Sequence, residues 1–263
     1  MIAEIKGKIS STGSNLSERL EDKLTGDFFG SLRYIPFNKG AGSILSKTKV
    51  LNEDSLHILE TIKRLDIDYW ANNIHFWPYD PLGEIDLLLE FEEIIIGIEV
   101  KLHSGLSSDD GVDNSSYDYK IQSNHQLSRE SRILKRKILG TNKQAFLIFI
   151  ASEHTCYPIC KEAYDRNIIE KGIVLGYLSW EEVLSTLEKL IDIEKLNKYE
   201  ELVVKDSIAL LERKGLERFR AFNFECPNID LNLHFVFDCK NDINIDFMFN
   251  QEIIMERGYY EFK

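Results

Sequence analysis

The amino-acid sequence predicts an α/β fold in which helices flank a mixed β-sheet. Apolar residues recur at every fourth position from Leu16 to Phe28, which is typical of an amphipathic helix. Farther along the chain, short apolar runs bounded by polar turns replace this spacing, as they do in strands. Helical and strand-like segments then alternate up to about residue 214. We therefore expect one sheet with helices packed against it.

Both halves of the chain are predicted to contain helices and strands. The first half is expected to contain helices from Asn15 or Ser17 onward and over 54–65, and strands around 74–76, over 85–91 and over 94–102. The second half is expected to contain helices over 119–139, 157–171, from 180 onward and over 193–214, and strands over 144–151 and 173–178.

The C-terminal segment has a different pattern, because residues 222–248 alternate polar and apolar side chains as strands do. We expect a main domain over residues 1–221 and a β-rich extension over 222–263 that packs on the same domain. The chain has no internal repeat and no compositional linker that would separate independent domains.

Composition narrows the class of protein. With 263 residues, of which 43% are hydrophobic, the chain is long enough to bury a substantial core. Cysteines are few, the N-terminus does not resemble a signal peptide, and no apolar run approaches the roughly 20 residues that span a bilayer. We therefore expect a soluble, cytoplasmic protein with no membrane partner.

The net charge of −12 argues against tight, sequence-independent binding of long duplex DNA, because basic residues supply most of that affinity. The basic residues are nevertheless concentrated in one segment, where Arg129, Arg132 and Lys135 lie close together with Arg136. Two interpretations stay open: a stripe that contacts phosphates, or a solvated helix face.

The most informative segment is the predicted hairpin that contains Asp86, Glu99 and Lys101. Alternate residues of a strand share a face, so Glu99 and Lys101 point the same way. Their strand is apolar from Ile94 to Ile98, and charged residues at the end of a buried strand are costly unless they are paired or bind a metal. Phosphodiester hydrolysis uses such groups, since carboxylates hold Mg²⁺ and a cation orients water or stabilises charge.

This hypothesis assigns a role to each residue. Asp86 and Glu99 would be metal ligands, the carbonyl of Val100 would complete the metal shell, and Lys101 would orient water or stabilise developing charge. A structural carboxylate–lysine pair is the alternative for the short Glu-Val-Lys segment alone.

The arrangement as a whole resembles the PD-(D/E)xK nuclease superfamily, which has the restriction-endonuclease-like fold. The resemblance rests on Asp86, the hairpin turn, and the Glu99-Val100-Lys101 segment that closes an apolar strand. The chain departs from the superfamily pattern at Ile85, where the motif has proline. The similar segments span about residues 21–222, and they imply a restriction-endonuclease-like mixed sheet.

The resemblance extends to two helices. The segment that begins at Glu21 is similar to the N-terminal helix that contributes a further acidic residue in the superfamily, with Glu18 and Asp22 as alternatives. Gln126 begins a segment similar to a Gln-x-x-Arg helix that lies beside the metal in many members. The resemblance thus implies Glu21 as a further metal ligand, Gln126 as a group that positions water or phosphate, and Arg129 as a phosphate contact.

The expected function is hydrolysis of nucleic-acid phosphodiester bonds with Mg²⁺, for which Mn²⁺ would substitute. DNA is the expected substrate, with restriction, repair or anti-phage defence as possible settings and a homodimer or a partner subunit as possible assemblies. The alternative is a noncatalytic nuclease-fold protein that binds a protein partner.

Overall fold

A six-stranded mixed sheet organises the fold, with strand order β1-β8-β7-β6-β5-β2. Its strands are β1 (Lys49–Val50), β2 (Ile74–Phe76), β5 (Leu87–Glu90), β6 (Ile94–Val100), β7 (Gln144–Ala151) and β8 (Ile173–Ser179). The central strands β6, β7 and β8 are parallel, and the remaining pairs are antiparallel. A separate two-stranded ribbon joins β3 (Tyr79–Asp80) to β4 (Gly83–Glu84).

The computed structural model describes residues 16–102, 106, 123–193 and 196–218, all of which belong to one unit that spans residues 1–219. The helices of this part are α1 (Leu16–Leu32), α2 (Ala41–Leu45), α3 (His57–Arg64), α4 (Gln126–Ile138), α5 (Glu153–Asp165), α6 (Trp180–Ile193) and α7 (Lys198–Arg213). The predicted extension over 222–263 lies outside the described residues. Within them, no helix combines the length and the apolar composition that a bilayer span requires.

Helices cover both faces of the sheet because the central strands are apolar on both sides, as buried parallel strands are. Every residue of β6 is buried. One core cluster joins the sheet to α1, α2, α3, α6 and α7, and includes Phe28, Ile96 and Trp180. The other core cluster joins the opposite face to α4 and α5, and includes Ile95 and Leu134. The prediction of a mixed sheet flanked by helices is therefore confirmed.

Several predicted boundaries were wrong. The helix predicted over 119–139 begins at Gln126, and residues 123–125 precede it in non-helical conformation. The helix predicted over 157–171 spans Glu153–Asp165; Ser152 is its N-cap, and the left-handed conformation of Asn167, where φ is 51°, is incompatible with its continuation. The helix predicted over 193–214 begins at Lys198, where Asn197 and Glu200 form a reciprocal capping box.

Gly176 marks a place where β8 is packed too closely for a side chain. A Cβ atom there would lie 2.6 Å from the Thr48 methyl carbon and 2.7 Å from the Phe146 ring. We expect Gly176→Ala to lower the free energy of unfolding by about 1–3 kcal/mol through overpacking. Gly97→Ala is the matched control, since its Cβ would meet only the end of Leu134, at 3.1 Å. Urea unfolding of both variants would contradict this account if Gly97→Ala proved the more destabilising.

Candidate functional site

The hairpin of β5 and β6 brings Asp86 and Glu99 together at one end of the sheet. The turn is tight, with the Phe91 amide donating a hydrogen bond to the Ile94 carbonyl at 2.9 Å. Leu87 pairs with Ile98, so the same register continued by one residue puts Asp86 opposite Glu99. The Asp86 carboxylate accepts a hydrogen bond from the Val100 amide at 2.9 Å. The predicted hairpin and the proximity of its two acidic residues are confirmed.

Glu99 is the centre of the site. It is 2% exposed, and its Oε1 lies 2.8 Å from the Lys101 ammonium nitrogen. The same oxygen accepts a hydrogen bond from Gln126 Nε2 at 2.5 Å. Gln126 is the first residue of α4, so this helix contributes a side chain directly to the site. The residue predicted from the superfamily resemblance therefore lies beside Glu99.

Glu21 reaches the same end of β6 from α1. Its Oε1 accepts a hydrogen bond from the Leu102 amide at 2.9 Å, and its Oε2 lies 3.9 Å from the Lys101 ammonium nitrogen. Glu21, the residue that the resemblance favoured, thus contacts the strand end. The charge of Asp22 contributes to the raised pKa of Asp86, and the side chain of Glu18 lies outside the described part.

The backbone of Lys101 is held on two sides. Its amide donates to the Ile150 carbonyl at 2.7 Å, and its carbonyl accepts from the Trp180 indole at 2.9 Å. Trp180 is fully buried and packs edge-to-face against Phe28 of α1. Sequence analysis assigned Trp180 only to a helix start. The site therefore rests on a rigid scaffold, because a core aromatic residue fixes the peptide that carries the lysine.

The charges of the site are not balanced by the protein. Burial and the neighbouring Glu99 carboxylate raise the pKa of Asp86 well above its usual value, although the Val100 amide opposes this. Burial alone would lower the pKa of Lys101, but the charge and hydrogen bond of Glu99 outweigh it and raise that pKa. Lys101 therefore stays an ammonium group at neutral pH, while Asp86 resists ionisation.

Glu130 is a further acidic residue at the site, and sequence analysis assigned it no role. It is 1% exposed, and burial together with the charge and hydrogen bond of Glu99 and the charge of Asp86 raises its pKa well above the usual value. Glu130 follows Gln126 by four residues on α4, a spacing that places both on one helix face. That spacing was the signal in the sequence that could have identified it.

The predicted phosphate-binding stripe lies on α4, and its basic residues contact the protein itself. Arg129 donates to the Leu82 carbonyl at 3.2 Å, Arg132 to the Ser123 carbonyl at 2.8 Å, and Lys135 to the Lys171 carbonyl at 3.0 Å. Arg136 forms an ion pair with Asp80. These contacts connect α4 to neighbouring loops, and a role in binding phosphate stays a prediction.

The site contains the oxygen donors of a divalent-cation site, but in the described residues they are not arranged around a common metal position. Within residues 16–102, 123–193 and 196–218, no group of three or more His, Cys, Asp or Glu side chains stands in a metal-binding arrangement. Hard cations prefer the carboxylate oxygens that Asp86, Glu99 and Glu130 supply. The fit of a cation rests on one observation: among the described groups, no N–H or hydroxyl donor meets the buried carboxyl group of Glu130, which is set against the Glu99 carboxylate and shares a proton with it.

Comparison with known proteins gives no relative for this chain. No family model matches it, and neither does any curated protein or solved structure. The geometry of the site is consequently the basis on which a function is proposed.

Proposed function

We propose that this protein is a Mg²⁺-dependent nuclease that hydrolyses phosphodiester bonds of nucleic acid, with DNA as the expected substrate. The observation that carries the proposal is the convergence of Glu21, Asp86, Glu99, Lys101 and Gln126 at the end of β6, within a network of short polar contacts. The restriction-endonuclease-like fold, and a setting in restriction, repair or anti-phage defence, belong to the same proposal.

The buried carboxylates are the groups that would hold the cation. Asp86 and Glu99 are the proposed ligands, with Glu21 and the Val100 carbonyl completing the set. The contact recorded for Val100 is that of its amide with Asp86, so its carbonyl stays a prediction. When bound, a Mg²⁺ ion would neutralise phosphate charge and lower the pKa of a bound water.

Lys101 would act as a fixed positive charge rather than as a base. Its pKa is raised, so the ammonium group keeps its proton at neutral pH and donates hydrogen bonds. Glu99 and Glu21 hold it at the strand end, where it can orient water or stabilise charge that develops on the phosphate. Gln126 fixes the Glu99 carboxylate through its amide, which keeps that oxygen in place.

The first experiment is a cleavage assay with Mg²⁺ or Mn²⁺ on supercoiled plasmid, linear duplex, single-stranded DNA and RNA. We expect metal-dependent cutting by the wild type and a loss of about 10²–10³-fold or more in Glu99→Gln, because the substitution removes a charged ligand while keeping the shape. Glu92→Gln is the matched control, since Glu92 lies exposed in the turn of the same hairpin.

Two outcomes would count against the proposal. Equal activity of Glu99→Gln and the wild type would exclude the site, whereas folded wild type that cuts no substrate and binds no Mn²⁺ in calorimetry would exclude the activity. The second outcome would favour the alternative, a noncatalytic nuclease-fold protein with a protein partner. Sedimentation of the pure chain would then separate a homodimer from a monomer that needs a partner subunit.

A further inference from the structure

Glu130 is buried where the described part of the protein offers its carboxylate form little stabilisation. Its side chain is 1% exposed on α4, and no N–H or hydroxyl donor among the described groups meets its carboxyl oxygens; its hydrogen bond is the proton that it shares with Glu99. A buried carboxylate that no donor stabilises costs at least about 1–3 kcal/mol in its charged form. A side chain that is retained at this cost calls for a function outside packing.

The surroundings of Glu130 repel it. Burial and the charges of Glu99 and Asp86 oppose its ionisation, the hydrogen bond with Glu99 keeps its proton in place, and Lys101 is the cation among its principal electrostatic neighbours. That lysine is already 2.8 Å from Glu99, with which it shares its hydrogen bond. The two arginines nearest in the helix, Arg129 and Arg132, donate to the backbone carbonyls of Leu82 and Ser123.

The excess negative charge therefore involves three carboxyl groups, Asp86, Glu99 and Glu130, which we call the carboxylate cluster. They come from three separate elements: the residue before β5, the end of β6 and the first half of α4. When all three groups are ionised, Lys101 offsets one of the three negative charges, and a cation of charge two would balance the other two. Mg²⁺ and Mn²⁺ are such cations, and both accept carboxylate oxygens.

We propose that Glu130 is a ligand of the divalent cation and acts with Asp86 and Glu99. This inference rests on the proposed function and deepens it by adding a residue of α4 to the metal site. The helix then supplies two different groups one turn apart: Gln126, which fixes Glu99 through an amide, and Glu130, whose carboxylate would bind the cation after losing the proton that it shares with Glu99. An amide at position 130 would remove the repulsion but would also remove the charge that attracts the metal.

The test is calorimetric titration of the full chain with Mn²⁺, for the wild type, Glu130→Gln and the control Glu92→Gln. We expect Glu130→Gln to weaken Mn²⁺ binding at least about tenfold, as the loss of a ligand or its close support does. Without metal, the melting temperature of Glu130→Gln should equal or exceed that of the wild type, because the variant loses like-charge repulsion. Glu92→Gln should match the wild type in both measurements.

The results distinguish failure of the Glu130 assignment from failure of the proposed nuclease function. If Glu130→Gln binds Mn²⁺ as tightly as the wild type while Glu99→Gln does not, Glu130 is not a ligand and the proposed nuclease site stands without it. If the wild type binds no Mn²⁺, the proposed function and this inference both fail. Glu130→Met, which keeps the volume without polar atoms, is measured in parallel so that the comparison does not depend on one variant folding.

Discussion

Replacing Lys101 with methionine is expected to reduce metal-dependent cleavage by about 10²–10³-fold, the usual effect of removing one positioned electrostatic group. The ammonium group is held between Glu99 and Glu21, and its backbone is fixed by Ile150 and Trp180. Methionine keeps the length and apolar character of the side chain but carries neither charge nor donor. The loss should therefore appear in the catalytic step.

Mn²⁺ binding separates this effect from loss of the metal site. Lys101 is a cation among carboxylates, so its removal makes the local potential more negative and should leave Mn²⁺ affinity unchanged or higher. A single-turnover cleavage assay and a Mn²⁺ titration on the same preparation would show the two responses. Parallel loss of cleavage and of Mn²⁺ binding would contradict a catalytic role and indicate that Lys101 maintains the shape of the site.

Lys143→Met is the matched control for this prediction. Lys143 also pairs with a glutamate, Glu90 at 3.1 Å, but on the surface of the same sheet, where about half of the Glu90 side chain is exposed. Exposed pairs contribute about 0–1 kcal/mol to stability. We expect cleavage by Lys143→Met within about twofold of the wild type. The substitution should change the free energy of unfolding by ~1 kcal/mol or less, at a position remote from the site. Circular dichroism of both variants would verify that they are folded.

The part of the site that the sequence predicts is the part set by local geometry. The period of a strand places Glu99 and Lys101 on one face, and a turn after Phe91 brings Asp86 back toward them. Glu21 and Gln126 are distant in the chain, and only the resemblance to a nuclease superfamily suggested them. Their contacts depend on how α1 and α4 pack on the sheet, which spacing alone does not determine.

Other features of the structure depend on tertiary contacts that leave a weak trace in the sequence. Glu130 lies on the same helix face as Gln126, but only packing against the sheet reveals that this face meets Glu99. The start of α4 at Gln126 was missed because polar and apolar residues before it continue a helix-like pattern. The short ribbon of β3 and β4 was missed too, and Arg136 stabilises it by pairing with Asp80.

The stability of the metal-free protein is expected to fall as pH rises from about 5 to 8. The pKa values of Asp86 and Glu130 are raised in the folded state, so above the usual carboxyl pKa of about 4 the folded protein holds protons that the unfolded chain releases. The free energy of unfolding then decreases with pH, by up to about 1.4 kcal/mol per pH unit for each proton involved. Below pH ~4 both states are protonated, and the slope disappears.

Glu130→Gln should flatten this pH profile, because it removes one of the two titrating groups. Relative to the wild type, we expect a stability near equality at pH 5 and a higher free energy of unfolding at pH 8, measured by urea unfolding in EDTA. Glu92→Gln, in the exposed turn, should follow the wild-type curve. A parallel profile for Glu130→Gln would mean that Glu130 does not hold the extra proton.

Saturating Mn²⁺ should reverse the sign of the slope for the wild type. A cation binds ionised carboxylates, so it is bound more tightly as the cluster loses its protons, and a ligand that binds the folded state stabilises it by mass action. The same acidic groups that destabilise the metal-free protein at pH 8 would then stabilise the bound form. If the stability profile with Mn²⁺ followed the profile in EDTA, the buried carboxylates would destabilise the protein without binding a cation. The proposed metal site would then be wrong.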